Sequence, residues 1–388
     1  MTSGVGGLRG ETGTPSREEH MDRKIVRWME KERVPGLAAC IVKGDRIVWS
    51  RGYGMANLTK KIPFTPDQTL FQIASISKTF TATAIMQLRD KGLFQLDDDV
   101  NTFLDFSVRN PRHPDRPITF KHLLTHASSI NEGEVLYSLY TVGDPTTSLE
   151  EVVTQYFTPS GSLWSRKNFS KYAPGERQIY SNAGFALLGC LVEAISKQPL
   201  ENYLQQNVFS VLKMNEASFY ISKLDPERQA CAYTFEDEVV EYLCEGDGDG
   251  NLLPRGVSPK IGYNEHGLYS YPSLADGMIR TSVNQLAHFM IAMMNGGRFE
   301  GNQLLKESTV NEMLTYEKVG FKKNDEEMGL CWMRDGDYWG HDGSDPGCAT
   351  HMKFNPSEKS GFVVFANAEA ELDRVADLLM REARTMTS

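Results

Sequence analysis

Hydrophobic positions along this chain follow two periods, and the places where the period changes outline its elements. Met21, Ile25, Trp28 and Met29 recur at helical spacing within residues 19–32, which predicts a surface helix with one apolar stripe. Leu37 to Val42 and Arg46 to Arg51 are β-rich runs separated by Lys43, Gly44 and Asp45, the composition of a tight hairpin. A second helix is predicted from Ser75 to about Lys91, with Ile76, Phe80, Ala84 and Leu88 on one face and Gly92 as its stop. Residues 81–275 read as helical and loop-rich, with Pro-bearing connections at 111–117, 159 and 174 and a helix from Ala183 to Ser196 before Pro199. From Gly329 the pattern becomes short strands, GLCWMRD, DYWGH, ATHMKFN and SGFVVFAN, followed by a helix from about Ala370 to Thr385.

The N-terminal hairpin needs strand partners, and the C-terminal runs supply them. This predicts an α+β fold in which one antiparallel sheet is built from both chain ends and flanked by the terminal helices. Residues 19–80 and 276–388 would form that sheet subdomain, and 81–275 an inserted, mainly helical subdomain. Residues 1–18 are small and polar with no apolar stretch, so they read as a disordered tail and not as a secretory signal.

Composition narrows the function classes. With 388 residues, 40% of them hydrophobic, the chain can bury a core large enough for two subdomains. A net charge of -10 without any basic run excludes nucleic acid as an expected partner. No run approaches the roughly 20 apolar residues of a membrane span, so a soluble protein is expected. Six scattered cysteines (Cys40, Cys190, Cys231, Cys244, Cys331 and Cys348) include no CxxC pair. They read as buried or inert thiols of a reducing compartment, the cytoplasm or an organelle interior.

Ser75-Ile76-Ser77-Lys78 sets a hydroxyl and an amine three residues apart at a helix start, on one face and about one turn apart. Unpaired backbone N–H groups at such a start can stabilise an oxyanion, and lysine serves as a base where burial lowers its pKa. S-x-x-K alone is a weak motif. It recurs at Ser210 to Lys213, where Val211 and Leu212 mark a helix end packing into the core.

The flanks are more specific. FQIASISKTFTATAIMQL resembles the active-serine segment of the class C β-lactamase, DD-peptidase and esterase group, and ITFKHLLTHASSI (118–130) resembles the group's next landmark. Tyr180-Ser181-Asn182 within PGERQIYSNAGFALLG matches its Y-x-N element, and His341-Asp342-Gly343 within GHDGSDPG its lysine-or-histidine, any residue, glycine element. The resemblance runs from about Val34 to Asn367, with the elements in the group's order. It implies that Ser75 attacks a carbonyl while Lys78 and Tyr180 take and relay its proton, either one being the base. It further implies that Asn182 donates to the substrate carbonyl (or caps the helix that follows), that His341 points into the cleft, and that Gly343 allows close backbone approach. The N–H groups of Ser75 and Ser344 would form the oxyanion hole.

Departures from the group shape the expectation. His341 stands where penicillin-recognising members more often have lysine, removing a fixed cation for a substrate carboxylate. Ser129 and Ala275-Asp276 stand where glycines are usual. The residues therefore predict a cofactor-free, metal-free serine hydrolase of esters or small amides, ahead of a true β-lactamase that opens a lactam. An acyltransferase using the same nucleophile, or a non-catalytic scaffold or filament protein retaining the fold, are the remaining alternatives. Two acidic segments are set aside. Asp247 to Asn251 opens like a calcium loop but has Leu252 and Ser258 where glycine and glutamate belong. Asp97, Asp98 and Asp99 follow a helix as a cap would.

Overall fold

The computed structural model describes residues 16–132, 134–235, 262–320 and 327–386. Seven strands form one antiparallel sheet: β1 (Gly36–Lys43), β2 (Arg46–Asn57), β3 (Ile62–Pro63), β4 (Met333–Asp335), β5 (Tyr338–Asp345), β6 (Cys348–Asn355) and β7 (Ser360–Ala366). Their spatial order is β4-β5-β6-β7-β1-β2-β3, so the two chain ends meet where β7 pairs with β1, Leu37 opposite Ala366 and Lys43 opposite Ser360. The sheet assembled from both termini is thus the observed one. Its central strands read as unbroken apolar runs because both faces are covered. Leu37, Ala39 and Ile41 face one apolar cluster, and Ala38, Cys40 and Val42 the other.

Helix α1 (Arg17–Glu32) and the C-terminal helix, α7 in chain order (Asp373–Thr385), cover the first face. Helix α1 starts at Arg17, two residues before the expected span and inside the expected 1–18 tail, because Ser16 and Glu19 form a capping box; residues 1–15 of that tail lie outside the described residues. On the second face lie α2 (Ser77–Asp90) and, sixth in order, α6 (Val283–Met294). Short helices α3 (Phe120–Leu124) and α4 (Leu149–Phe157) pack against the longer α5 (Asn182–Ser196), which itself packs on α2. Ser181, and not Asn182, is the N-cap of α5, its hydroxyl accepting from Gly184 N at 3.0 Å.

The residues set aside by sequence have structural work where they are described. Asp98 accepts from Gln95 N, and Asp99 caps a short turn and pairs with Arg109. Ser210 donates to Gln206 O, and Lys213 pairs with Glu300. Five cysteines are free and buried, whereas Cys244 and the Asp247–Asn251 segment lie outside the described residues. Among the described residues no helix is long and apolar enough to cross a membrane.

Candidate active site

The α-helix that presents the S-x-x-K motif begins at Ser77; Ser75 occupies a 3₁₀ turn, Ala74–Ile76, ahead of it. Ala74 adopts φ 45°, a left-handed conformation unusual for alanine, and this sharp entry sets Ser75 against the sheet. Thr350 of β6 holds the entry by donating its hydroxyl to Ile73 O at 3.0 Å. Opposite Thr350 stands Gly343, where a Cβ would come 2.3 Å from the Thr350 hydroxyl and 2.4 Å from Ile73 O. Only glycine lets β5 approach the nucleophile turn this closely.

Lys78 is fully buried, and its ammonium is satisfied on every side. Nζ donates to Ser75 Oγ at 3.0 Å and to the Asp276 carbonyl at 2.6 Å, and it also bonds the Tyr180 hydroxyl. The segment around Asp276 is fixed along α2, with Thr81 donating to Ala275 O at 2.7 Å and Ile279 N donating to the Ser77 hydroxyl at 3.1 Å. Burial alone would lower the Lys78 pKa, but Tyr180, Asp276 and Glu132 together outweigh it and raise it. Burial pushes the Asp276 carboxyl up to about 7 against the pull of Lys78. Burial likewise raises the Tyr180 phenol, opposed by Lys78 and by hydrogen bonds to Ser75 and Lys78.

Two imidazoles flank Tyr180. His126 stacks on its ring at 4.3 Å between centroids and accepts from Ser181 N through Nδ1 at 3.1 Å, which puts its own hydrogen on Nε2. His341 lies 6.5 Å from the same ring and directs Nδ1 to the Asp342 carbonyl at 2.7 Å. Burial and the nearby Lys78 lower both, His341 to about 3, so both are neutral at pH 7.

A cavity of about 260 Å³ opens beside the nucleophile, lined by Ser75, Asn182, Ser344 and Asp345 among others. Of the sequence-derived candidates, Ser75, Asn182 and Ser344 line it, and Lys78 and Tyr180 bond directly to Ser75. His341 differs from the expectation of a cleft-pointing side chain. It shares the β5 face of Gly343 and Asp345, but it is 1% exposed and does not line the cavity, because the Tyr180 ring packs beside it. Asn182 differs too, since its amide is already engaged. Its side-chain nitrogen and its backbone N–H both donate to Glu132, which in turn accepts from the Tyr137 hydroxyl at 3.0 Å.

Sequence reasoning missed Glu132, His126, Asp276 and Asp345 as residues of this cluster. Asp345 carried a signal: counting by twos along β5 puts it on the face of His341 and Gly343. Glu132 carried none, since a loop carboxylate acquires its partners only from the tertiary fold. Among the described residues no group of three His, Cys, Asp or Glu side chains is arranged to hold a metal ion.

With this geometry in view, comparison with known proteins is informative. The family model described as Beta-lactamase matches residues 21–385. Protein flp of Staphylococcus aureus is 25% identical over 366 residues, 92% of this chain and 64% of its own length. Beta-lactamase-like protein 2 of Dictyostelium discoideum is 28% identical over 300 residues, 76% of this chain and 48% of its own. The chain therefore spans about half to two-thirds of the length of these relatives. Among solved structures, the penicillin binding protein from Bacillus halodurans superimposes with a TM-score of 0.69 at 26% identity, covering 92% of this chain and 97% of that one. The octameric penicillin-binding protein homologue from Pyrococcus abyssi gives 0.71 at 24%, covering 95% and 77%, and bears on the fold alone.

Proposed function

The chain belongs to the beta-lactamase family, whose members are typically serine hydrolases, and from that premise we propose that it cleaves esters or small amides through an acyl-enzyme on Ser75. The observation that carries this reading is the 3.0 Å contact between Ser75 Oγ and a fully buried Lys78 at the floor of an open cavity. A purely structural role gives no reason to bury a lysine ammonium against a serine hydroxyl, since burying charge is costly.

In the proposed reaction Tyr180 enters as its phenolate, Ser75 Oγ bonds to the substrate carbonyl carbon, and the serine proton passes to the phenolate oxygen. Three acceptors around Nζ support keeping Lys78 an ammonium, with no lone pair to offer, so its part is to stabilise the phenolate form of Tyr180. The carbonyl oxygen, now negative, lies against the N–H groups of Ser75 and Ser344. When the intermediate collapses, the bond from carbon to the leaving oxygen or nitrogen breaks, and the leaving group departs with the proton from Tyr180. Water then attacks the acyl carbon by the same route, giving a carboxylic acid and free Ser75.

A neutral, buried His341 in place of a cation supports esters and simple amides over carboxylate-bearing lactams. The test is labelling of Ser75 by a fluorophosphonate, together with kcat/KM for a short-chain ester and a penicillin. Labelling that is lost in Ser75→Ala, and a higher kcat/KM for the ester, is the expected result. A wild type that leaves Ser75 unlabelled overturns the hydrolase, and one that prefers the penicillin overturns the substrate preference.

A further inference from the structure

We propose that the cavity beside Ser75 is a cation site, so that the substrate is an ester or amide carrying an ammonium or quaternary nitrogen held by Asp345 and the rings of Tyr137, Tyr140 and Tyr271. This proposal rests on the hydrolase reading above and names the substrate class for the same site.

Among the described residues, Asp345, at the end of β5, is the one charged side chain that lines the cavity, and no lysine or arginine does; the Lys78 ammonium is not a lining group and is engaged by Ser75 and the Asp276 carbonyl. The Tyr140 hydroxyl donates to Asp345 Oδ1 at 2.5 Å, while Oδ2 is buried without a hydrogen-bond partner. Tyr269 also lies close enough to the carboxylate to favour its charged form, but its single hydrogen is directed to the Pro346 carbonyl at 2.7 Å. Arg280, whose charge favours the carboxylate, directs its guanidinium to Tyr269 O at 2.6 Å. A buried carboxylate oxygen left without a donor is costly, and the charge of a cation in the cavity offsets part of that cost.

The aromatic walls suit the same partner. The Tyr140 ring stands 4.7 Å from that of Tyr271 and 6.5 Å from that of Tyr137, so three ring systems adjoin within one small space. Their negative faces attract a cation most strongly where water is excluded. At about 260 Å³ the cavity is below the range usual for drug-sized ligands, which matches a small head group on a short linker. Glu132 and Asp276 add negative potential around Tyr137 and Tyr271 without lining the space. Burial holds the Asp345 carboxyl up at about 7, and a bound cation favours its charged form. An anionic head group would face Asp345 and would meet no cation lining the cavity among the described residues.

The experiment uses two pairs of thioesters, each a trimethylammonium compound and its tert-butyl carbon isostere. One pair, acetylthiocholine and 3,3-dimethylbutyl thioacetate, carries the group on the leaving side. The other, the phenyl thioesters of 4-(trimethylammonio)butyrate and 5,5-dimethylhexanoate, carries it on the acyl side. At least one pair is expected to favour the cation by roughly tenfold or more in kcat/KM, and Asp345→Asn to bring that ratio to within about threefold of unity. Ratios near unity for both pairs in the wild type, or a preference that survives Asp345→Asn, overturn the proposal. Calorimetric binding of the same compounds to Ser75→Ala reads the cavity apart from turnover. If wild type fails to hydrolyse but Ser75→Ala binds the cation roughly tenfold tighter, the hydrolase reading falls and the cation site stands. Equal binding of cation and isostere there overturns the site whatever the activity.

Discussion

On one face of the sheet, Leu37, Ala39 and Ile41 of β1 and Phe362 and Val364 of β7 meet the apolar stripes of α1 and α7. On the other, their alternate neighbours Ala38, Cys40, Val42, Val363 and Phe365 meet a layer that also buries Lys78, Asp276, Arg280 and His341. The same strands serve both faces, so the contrast comes from what is laid against them. The terminal helices supply dispersion contacts and area removed from water, each buried Leu or Ile contributing about 1.5–3 kcal/mol. The helical region supplies charges that weaken the fold unless they are compensated, and that compensation is the network around Ser75. Substitutions on the first face should change stability without touching the chemistry, whereas those on the second should change the chemistry and, where they alter a buried charge, stability as well.

The largest expected effect lies on the chemical face. Ser75→Ala should lower kcat/KM by about 10⁴ or more while moving the thermal midpoint by no more than about 2 °C, since one hydroxyl at a turn is lost. A retained rate in that variant would erase the distinction between the faces. On the apolar face Leu379→Ala, in α7, should cost about 2–5 kcal/mol in denaturant unfolding, with fluorophosphonate labelling per folded molecule unchanged. Labelling that fell in parallel with stability would mean the faces are coupled through the sheet.

The smallest effect concerns pH. Asp276 is held at about 7 against an ordinary 3.8, so between about pH 4 and pH 7 the folded chain keeps a proton that the unfolded chain has lost. Stability therefore falls as pH rises through that window and levels off above it. Asp276→Asn should flatten that fall by an amount on the order of 1–3 kcal/mol, read as the change in unfolding free energy between pH 5 and pH 8. Asp345, also held at about 7, adds a parallel slope that remains in the variant. An unchanged pH profile would remove Asp276 from the set of buried, uncompensated carboxyls.

What could be read from the sequence divides along the same line. The apolar face was legible because unbroken runs such as GLAACIV and GFVVFA have few other ways to be buried. Ser75, Lys78 and Tyr180 were legible as a motif, as was the glycine that lets β5 come close. The left-handed Ala74 was not, because alanine gives no sign of a positive φ that context imposes. Nor was the burial of His341, which depends on what stacks above it, or the Glu132 clamp on Asn182. Long-range polar contacts are set by the assembled fold and leave no local pattern.

The pairing of β7 with β1 has a consequence for how the chain is made. Asn367 reaches back 312 residues to donate to the Met55 carbonyl at 3.0 Å, and β1 has no partner on its β7 side until that stretch has been synthesised. At about 5–20 residues per second this is a delay of roughly 15–60 s. Throughout it, the ribosome-bound hairpin of β1 and β2 leaves that apolar edge of β1 open to water or to a chaperone. Refolding from denaturant removes the delay but keeps the long loop to be closed. Nascent folding is accordingly limited by translation, and refolding by the search that joins the two ends.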